Sequence, residues 1–258
     1  MLPEQRRRQL LDYLSADGGA NVEELSDKLR VSPATIRRDL QLLEQSGHIK
    51  RTYGGAVMPH VSTAFEPLHA EKQAKQIEEK RAIAKLASQQ VADGEVIILD
   101  SGSTTLALAM ELKKKRELTV ITTDLKIALE LSDVPGFDVL IVGGKVRSKL
   151  YSVVGPIALQ ILEDLHANYA FLGADAIDLQ VGVTNANLEE VAVKRLVIAA
   201  ARHLVLLADH TKFGSVSLAK VADLKSFGEV ITDWRLSKDI AAPYVSAGIK
   251  LTFAPKEI

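Results

Sequence analysis

Apolar residues follow two different rhythms along the chain, and the change falls near residue 58. Before it they recur at helical spacing. Leu10, Leu11 and Leu14 form the stripe of a helix running from about Pro3 to Ser15 and closed by Gly18-Gly19. Asn21 is placed to N-cap a second helix: Glu24, three residues on, completes a capping-box-like pair, and Val22, Leu25 and Leu29 give the buried face. A third helix starts at Ser32 with Pro33 at its first position, turns Ile36, Leu40 and Leu43 inward, and stops at Gly47. From about Ile77 the pattern becomes short, continuous apolar runs: VIILD (96–100), LTVITT (118–123), DVLIVGG (138–144), YAFLGAD (169–175), HLVLLAD (203–209), EVITD (229–233) and KLTFA (250–254). Continuous runs rather than strict alternation predict strands covered on both faces. Helical stretches such as LALAMELKKK, LKIALELS, IALQILEDL and LEEVAVKRLVIAAAR separate many of them, which predicts an α/β fold with a largely parallel sheet. Residues 58–75, with Pro59 and Pro67 and no strong period, read as a linker. The expected organisation is therefore a helical module over 1–57, the linker, and an α/β domain over 76–258.

Composition narrows the class. Hydrophobic residues make up 47% and charged residues 25% of 258 positions, which fits a soluble globular protein and excludes disorder. No apolar run approaches the roughly 20 residues that span a bilayer. The opening MLPEQRRRQLLDYL lacks the apolar core of a secretory signal, so a cytoplasmic location is expected. The absence of cysteine excludes disulfides, zinc–thiolate sites and cysteine nucleophiles, and no motif calls for a metal or cofactor. The net charge of −1 hides local basic clusters at Arg6-Arg7-Arg8, Lys28 and Arg30, Arg37-Arg38, and Lys50-Arg51, with Glu23, Glu24, Asp27 and Asp39 between them. A near-neutral protein can grip nucleic acid if one face gathers the cations.

The helical module reads as a DNA reader. Only Arg30-Val31 joins the second and third helices, as in a helix-turn-helix. With Ile36 and Leu40 turned to the core, Ser32, Ala34, Thr35, Arg37 and Arg38 fall on or near the outer face of the third helix, where a recognition helix meets base edges. Arginine can donate two hydrogen bonds to guanine, and threonine can touch a thymine methyl or a phosphate; which arginine reads a base stays open. Residues 48–52 and 55–58 can pair as a hairpin turning at Tyr53-Gly54-Gly55, a wing that would carry Lys50 and Arg51 to the backbone or minor groove. Set against this is a small protein-interaction module with merely solvated charges. The short turn, the capped third helix and the basic wing together favour DNA.

In the second domain VIILD delivers the chain to Asp100-Ser101-Gly102-Ser103-Thr104-Thr105, with a helix directly behind. Ligands of open α/β sheets bind beyond the carboxyl ends of strands, and helix-start N–H groups with serine and threonine hydroxyls suit an anion. The loop has neither the Gly-Lys-Ser/Thr of a Walker A motif nor GxGxxG, so ATP and dinucleotides fit poorly. Simple helix capping is the alternative. Thr122, Thr123 and Asp124, Gly143 and Gly144, Gly173 and Asp175, and Asp209 and Lys212 also sit at strand ends and are expected to converge on one pocket. There Lys212 would oppose a phosphate, and Asp175 and Asp209 would accept sugar hydroxyls. Glu190 and Lys194, four apart, read as an ordinary exposed ion pair.

The stretch LLDYLSADGGANVEELSDKLRVSPATIRRDLQLLEQSGHIKRTYGGAV resembles the DNA-binding domain of the DeoR family of bacterial sugar-metabolism repressors, most specifically in VSPATIRRDL and the Gly-Gly wing. EKRAIAKLA, ILDSGSTT, VGGKVR, GAD and ADHTKFG extend the resemblance over nearly the whole chain. It implies a winged helix-turn-helix joined to a sensor domain similar in fold to ribose-5-phosphate isomerase. That domain would bind a phosphorylated sugar through the SGSTT loop, with GAD and ADHTKFG bordering the sugar. TTD at 122–124 stands where the family often has Thr-Asn. The isomerases' Asp-Gly-Ala-Asp has Leu172 at its first position here, and their Lys-Gly-Gly-Gly stretch is missing, so binding without turnover is expected. The resulting expectation is a repressor of a carbohydrate-use operon, acting as a homodimer or homotetramer on double-stranded operator DNA and released by a sugar phosphate. An isomerase-like enzyme with an appended DNA module and a DNA-binding scaffold remain the alternatives.

Overall fold

The computed structural model describes the chain except residues 1–2, 18, 46–48, 53, 58–62, 65 and 257–258, and except a few side chains of the first unit, Lys50 among them. The helix stops expected at Gly18 and Gly47, the turn residue Tyr53 and the first part of the expected linker lie outside the described residues. The chain divides into two compact units, Met1–Ser62 and Thr63–Ile258.

In the first unit, α1 (Pro3–Asp17), α2 (Val22–Leu29) and α3 (Pro33–Gln45) pack around Leu10, Leu14, Val22, Leu25, Ile36, Leu40, Leu43 and Ile49. Each large side chain fully buried there is worth roughly 1.5–3 kcal/mol. The capping box at α2 forms in full: Glu24 N–H donates to Asn21 Oδ1 at 2.8 Å, and Asn21 N–H donates to Glu24 Oε2 at 3.0 Å. Arg30 takes the left-handed conformation (φ 52°) and ends α2. Ser26 then staples the turn, its hydroxyl donating to Val31 C=O at 2.5 Å while Val31 N–H donates to Ser26 C=O at 3.1 Å.

The wing contains a strand that hydrophobic spacing did not predict. β1 (Gly19–Asn21) pairs antiparallel with β3 (Gly55–Val57), which pairs with β2 (Lys50–Thr52), in the order β1-β3-β2. Gly55 is required there: a Cβ would sit 2.3 Å from Ala20 O, so only glycine lets β3 lie against β1.

The second unit is built on seven parallel strands: β4 (Val96–Leu99), β5 (Thr119–Thr122), β6 (Asp138–Ile141), β9 (Ala167–Gly173), β12 (Ala201–Leu207), β14 (Glu229–Asp233) and β15 (Leu251–Ala254). These are the seven apolar runs of the sequence. The runs are continuous because successive residues serve opposite faces: Ile98, Ala170, Leu172, Leu206 and Val230 enter one core, Ile97, Leu99, Phe171, Val205 and Ile231 the other. Burial on both faces fails at β6, an edge strand whose Leu140 and Ile141 are exposed.

The helices are α5 (Ile77–Ser88), α6 (Ser103–Leu112), α7 (Leu125–Ser132), α8 (Pro156–Glu163), α9 (Leu188–Ala199) and α10 (Lys238–Ser246). Short strands β7 (Lys145–Val146) with β8 (Val153–Val154), and β10 (Ala176–Asp178) with β11 (Gly182–Asn185) and β13 (Ala219–Ala222), add two small antiparallel sheets.

Strand order β15-β14-β12-β9-β4-β5-β6 places the site. The chain steps from β4 outward to β6, then returns to the other side of β4 as β9 and continues outward through β12. The loops leaving β4 and β9 therefore diverge and open a crevice between them at the carboxyl edge. The expected linker is ordered on its C-terminal side: α4 (His69–Ala74) forms there and buries His69 within the second unit. α4 has no large apolar residue, so apolar periodicity could not announce it.

Candidate functional site

In the first unit Ser32 caps α3, accepting from Thr35 N–H at Oγ (3.3 Å) and at its carbonyl oxygen (2.9 Å). Ser32, Ala34, Arg37 and Arg38 are exposed, and Thr35 is half-buried with its hydroxyl 2.9 Å from that of Ser32. Asp39, between Arg38 and the core leucine, is buried and accepts from Arg6, which binds α1 to α3. Arg6 is thus committed internally. Lys28 lies over the Tyr13 ring, 3.7 Å from its centroid. Arg37 and Arg38 are left as uncommitted cations on α3. In the wing Arg51 is exposed, and its N–H donates to Glu44 Oε1 at 3.2 Å, tying β2 to α3. Lys50 lies in β2, and its side chain is outside the described residues.

In the second unit a cavity of about 320 Å³ opens at the crevice, a size suited to a small metabolite. The loop after β4 supplies Ser101, Gly102, Ser103, Thr104 and Thr105, the loop after β9 supplies Asp175, and the turn after β12 supplies Asp209 and Lys212. Convergence of these residues follows from the strand order.

The hydroxyls of the β4 loop are not equivalent. Thr105 donates to Gly102 C=O at 2.9 Å and Ser101 to Asp124 Oδ2 at 2.7 Å, so both protons are spent inside the protein. Ser103 and Thr104, at the start of α6, keep theirs, and no side chain caps that helix end. Its first N–H groups and two hydroxyls therefore face the cavity as an anion site.

Four expected contacts stand off the cavity wall, each for a physical reason. Asp100 is buried beneath the loop, accepting from Lys194 Nζ and from Gly173 N–H at 3.0 Å. Burial pushes its carboxyl up, and Lys194 pulls it back part of the way. Thr122 is buried and donates to Leu99 C=O at 2.8 Å, a tie between adjacent strands. Gly143 and Gly144 pack against α8 and β8; a Cβ on Gly144 (φ 146°) would lie 2.7 Å from Val154 O. Their service is close backbone approach. Asp124 is likewise off the wall and caps α7 through Lys126 N–H (2.8 Å) and Ile127 N–H (3.2 Å).

Several lining residues had no signal in the sequence. Lys72, Lys75, Gln76 and Lys80 come from α4 and the start of α5, and Asn185 from β11. Glu190 and Lys194, read as an exposed pair, do not pair with each other: Lys194 is buried on Asp100 and Gly173 C=O, and Glu190 accepts from Arg147 (2.5 Å) and Ser152 (2.6 Å). Their four-residue spacing correctly puts them on one helix face, but that face is interior.

The charges divide into committed and available sets. Lys72 donates to Asp175 (2.9 Å) and Glu66 (3.3 Å); burial works against its charge, but the two carboxylates outweigh it and hold its pKa above the ordinary lysine value. Asp175 is held correspondingly low: burial opposes its charge, and Lys72 with the Ala186 N–H more than offsets this. By contrast, among the described residues Lys75, Lys80 and Lys212 form no ion pair, although Lys80 Nζ donates to the carbonyl oxygens of Lys72 and Lys75 (2.6 Å to the latter). Burial lowers Lys80 to about 8, with Asp209 opposing and Lys212 adding to the shift. His69 is lowered to about 4 by burial and by Lys126, Lys72 and Lys80, so it is neutral near pH 7. Lys126 Nζ lies 3.3 Å from its Nδ1, which puts the ring proton on Nε2.

Among the described residues no group of three or more His, Cys, Asp or Glu is placed to hold a metal, and no helix is long and apolar enough to cross a membrane.

Comparison with known proteins matches residues 6–62 to the DeoR-like helix-turn-helix domain and residues 75–234 to the DeoR C-terminal sensor domain. The chain is 37% identical to the HTH-type transcriptional regulator GolR of Listeria innocua, over 98% of this chain and 100% of the relative. It is 37% identical to the HTH-type transcriptional regulator GlpR of Haloferax volcanii, over 96% and 97%. With the glycerol-3-phosphate regulon repressor of Escherichia coli it shares 31% identity over 89% and 90%. Among solved structures, ribose 5-phosphate isomerase A from Neisseria gonorrhoeae superposes with a TM-score of 0.38 at 22% identity over 53% of each chain, a likeness too distant to bear on activity.

Proposed function

The chain belongs to the DeoR family of transcriptional regulators, and from that premise we propose that it represses a carbohydrate-use operon in the cytoplasm and leaves its operator when a phosphorylated sugar fills the cavity of the second unit. The observation that carries this reading is the pairing of an uncapped helix start bearing two free hydroxyls with three unpaired lysines around one small cavity. The phosphate would take the α6 N–H groups, Ser103, Thr104, Lys80 and Lys212. Asp175 and Asp209 would accept sugar hydroxyls. On DNA, Ser32, Ala34, Thr35, Arg37 and Arg38 would meet the major groove, and Lys50 and Arg51 the phosphate backbone or minor groove. The domain boundaries follow the same reading: 1–57 reads DNA, and the sensing unit extends from 76–258 back into the expected linker, since Lys72 and Lys75 line its cavity. A homodimer or homotetramer would match a symmetric operator.

We read the cavity as binding without turnover. Isomerisation needs a base poised near neutrality. Asp175 is held low by Lys72, Glu190 is engaged by Arg147 and Ser152, and Leu172 is a core residue. Lys80, lowered to about 8, is the one such group near neutrality among the described lining residues, and its ammonium is turned to the carbonyl oxygens of Lys72 and Lys75. Sustained conversion of ribose 5-phosphate in a coupled assay would overturn this.

The test of the sensor is Ser103→Ala with Thr104→Ala. Operator affinity should stay within about twofold of wild type, because these residues are in the other unit, while sugar-phosphate affinity should fall roughly 100-fold or more for two lost charge-assisted hydrogen bonds. Gel-shift release by a panel of sugar phosphates, with calorimetry, measures both. Release at unchanged effector concentration would place the ligand elsewhere.

A pH signature is also expected. Phosphate beside Lys80 favours its ammonium form and so raises the pKa of about 8. A phosphomonoester is already a dianion there, its second pKa being about 6. Binding just above pH 8 should therefore take up a proton, and affinity should fall as pH rises further. Binding enthalpies measured in buffers of different ionisation heat would show it; no buffer dependence would remove Lys80 from the phosphate.

A further inference from the structure

Asp124 is fully buried, yet it lies directly beneath the anion loop. Its Oδ1 is occupied by the N-cap of α7, where Lys126 and Ile127 N–H groups donate to it. Its Oδ2 is turned to the loop and accepts the Ser101 hydroxyl at 2.7 Å, and the carboxylate also accepts from Gly102 N–H. Burial pushes the Asp124 carboxyl up, and the Ser101 hydroxyl with the Ile127, Lys126 and Gly102 N–H groups pulls it back. A carboxylate surrounded by donors has no proton to give, so Ser101 is the donor in this bond. A serine hydroxyl has one proton. With that proton spent, Ser101 Oγ faces the cavity only as an acceptor. An anionic phosphate oxygen placed there would meet lone pairs, whereas a hydroxyl could donate.

We propose that Asp124 is a specificity-determining positioning residue: it polarises Ser101 into an obligate acceptor, so that this end of the loop accepts a ligand hydroxyl and the phosphate is confined to residues 103–105. The proposal rests on the reading of the cavity as a sugar-phosphate site and deepens it. It explains why a loop rich in hydroxyls is not uniformly a phosphate cradle. It also assigns a selecting role to a side chain that never touches the ligand.

Asparagine is the decisive substitution. Asp124→Asn keeps an oxygen for the α7 N-cap, at which asparagine is as good as aspartate, and its amide nitrogen can donate to Ser101. The Ser101 proton then becomes free for an anionic oxygen. The probes are inorganic phosphate and ribose 5-phosphate, measured by calorimetry on the full chain. Asp124→Asn should tighten inorganic phosphate about tenfold, the scale of one added hydrogen bond to a charged group, and should lower the preference for ribose 5-phosphate over phosphate. In a Ser101→Ala background the same substitution should change phosphate affinity less than about twofold, because the effect runs through Ser101. Ser101→Ala alone should weaken ribose 5-phosphate several-fold more than phosphate.

A tenfold gain that survives in the Ser101→Ala background would mean that Asp124 acts only by its charge, and would overturn the proposal. So would a Ser101→Ala variant that weakens phosphate as much as the sugar phosphate. If wild type and all variants ignore both probes, the cavity is not a sugar-phosphate site and both readings fall together.

Discussion

Replacing Lys194 with alanine is expected to destabilise the second unit by about 3–5 kcal/mol, the usual cost of stranding one partner of a buried ion pair. Both side chains are 3% exposed, so water cannot take over the lost partner. Lys194 also donates to Gly173 C=O at 2.9 Å, and Asp100 accepts Gly173 N–H, so three groups depend on the one ammonium. They join the ends of β4 and β9, the two strands whose loops diverge to make the crevice. Denaturant unfolding should show the second unit's midpoint fall with little change in slope. Lys194→Met combined with Asp100→Asn should recover much of the loss, since the pair is then neutral and Asn can still accept from Gly173. A Lys194→Ala protein within about 1 kcal/mol of wild type would mean that the pair is not the clamp described here.

Arg37→Ala with Arg38→Ala should abolish specific operator binding while leaving the fold unchanged. Each arginine contact to guanine is worth about 1–3 kcal/mol, so the pair together accounts for roughly 30-fold to 20,000-fold in affinity. Both side chains are exposed and outside the core of α3, which Ile36 and Leu40 occupy; exposed substitutions of this kind usually shift stability by less than about 0.5 kcal/mol. Gel shifts at fixed salt, with melting curves as the control, measure both effects. If one arginine reads a base and the other a phosphate, single variants will separate them: the first relaxes sequence preference, the second lowers the salt dependence by about one unit. Operator binding that survives the double substitution would take α3 out of the groove. Arg6 is no substitute for them, since it is spent on Asp39.

The legible features of this chain were those set by local chemistry. Pro33 behind Ser32 and the inward spacing of Ile36, Leu40 and Leu43 specify one helix, and Asn21 with Glu24 another, by interactions within a few residues. Both α2 and α3 lie where those signals put them. The seven strands were legible for a related reason: a central parallel strand buries both faces, so its apolar run has no gaps. β1, β10, β11 and β13 carry no such mark because each is only three or four residues long, and β1 and β13 pair only with strands far away in sequence. α4 was missed because its six residues include no large apolar side chain and its buried one is a histidine.

The site divides in the same way. The sequence by itself determined that a serine and threonine turn follows an apolar strand and opens a helix, the arrangement from which an anion loop is proposed, since unpaired N–H groups at a helix start need no distant partner. Only the tertiary structure decided which hydroxyls are free. Ser101 is engaged by Asp124, 23 residues on, and Asp100 by Lys194, 94 residues on. It also decided that Lys72 and Lys80 enter the cavity and that Gly143 and Gly144 do not. The physical reason is range: backbone conformation answers to neighbours along the chain, whereas the partner of a buried charge is whichever residue the sheet order brings beside it.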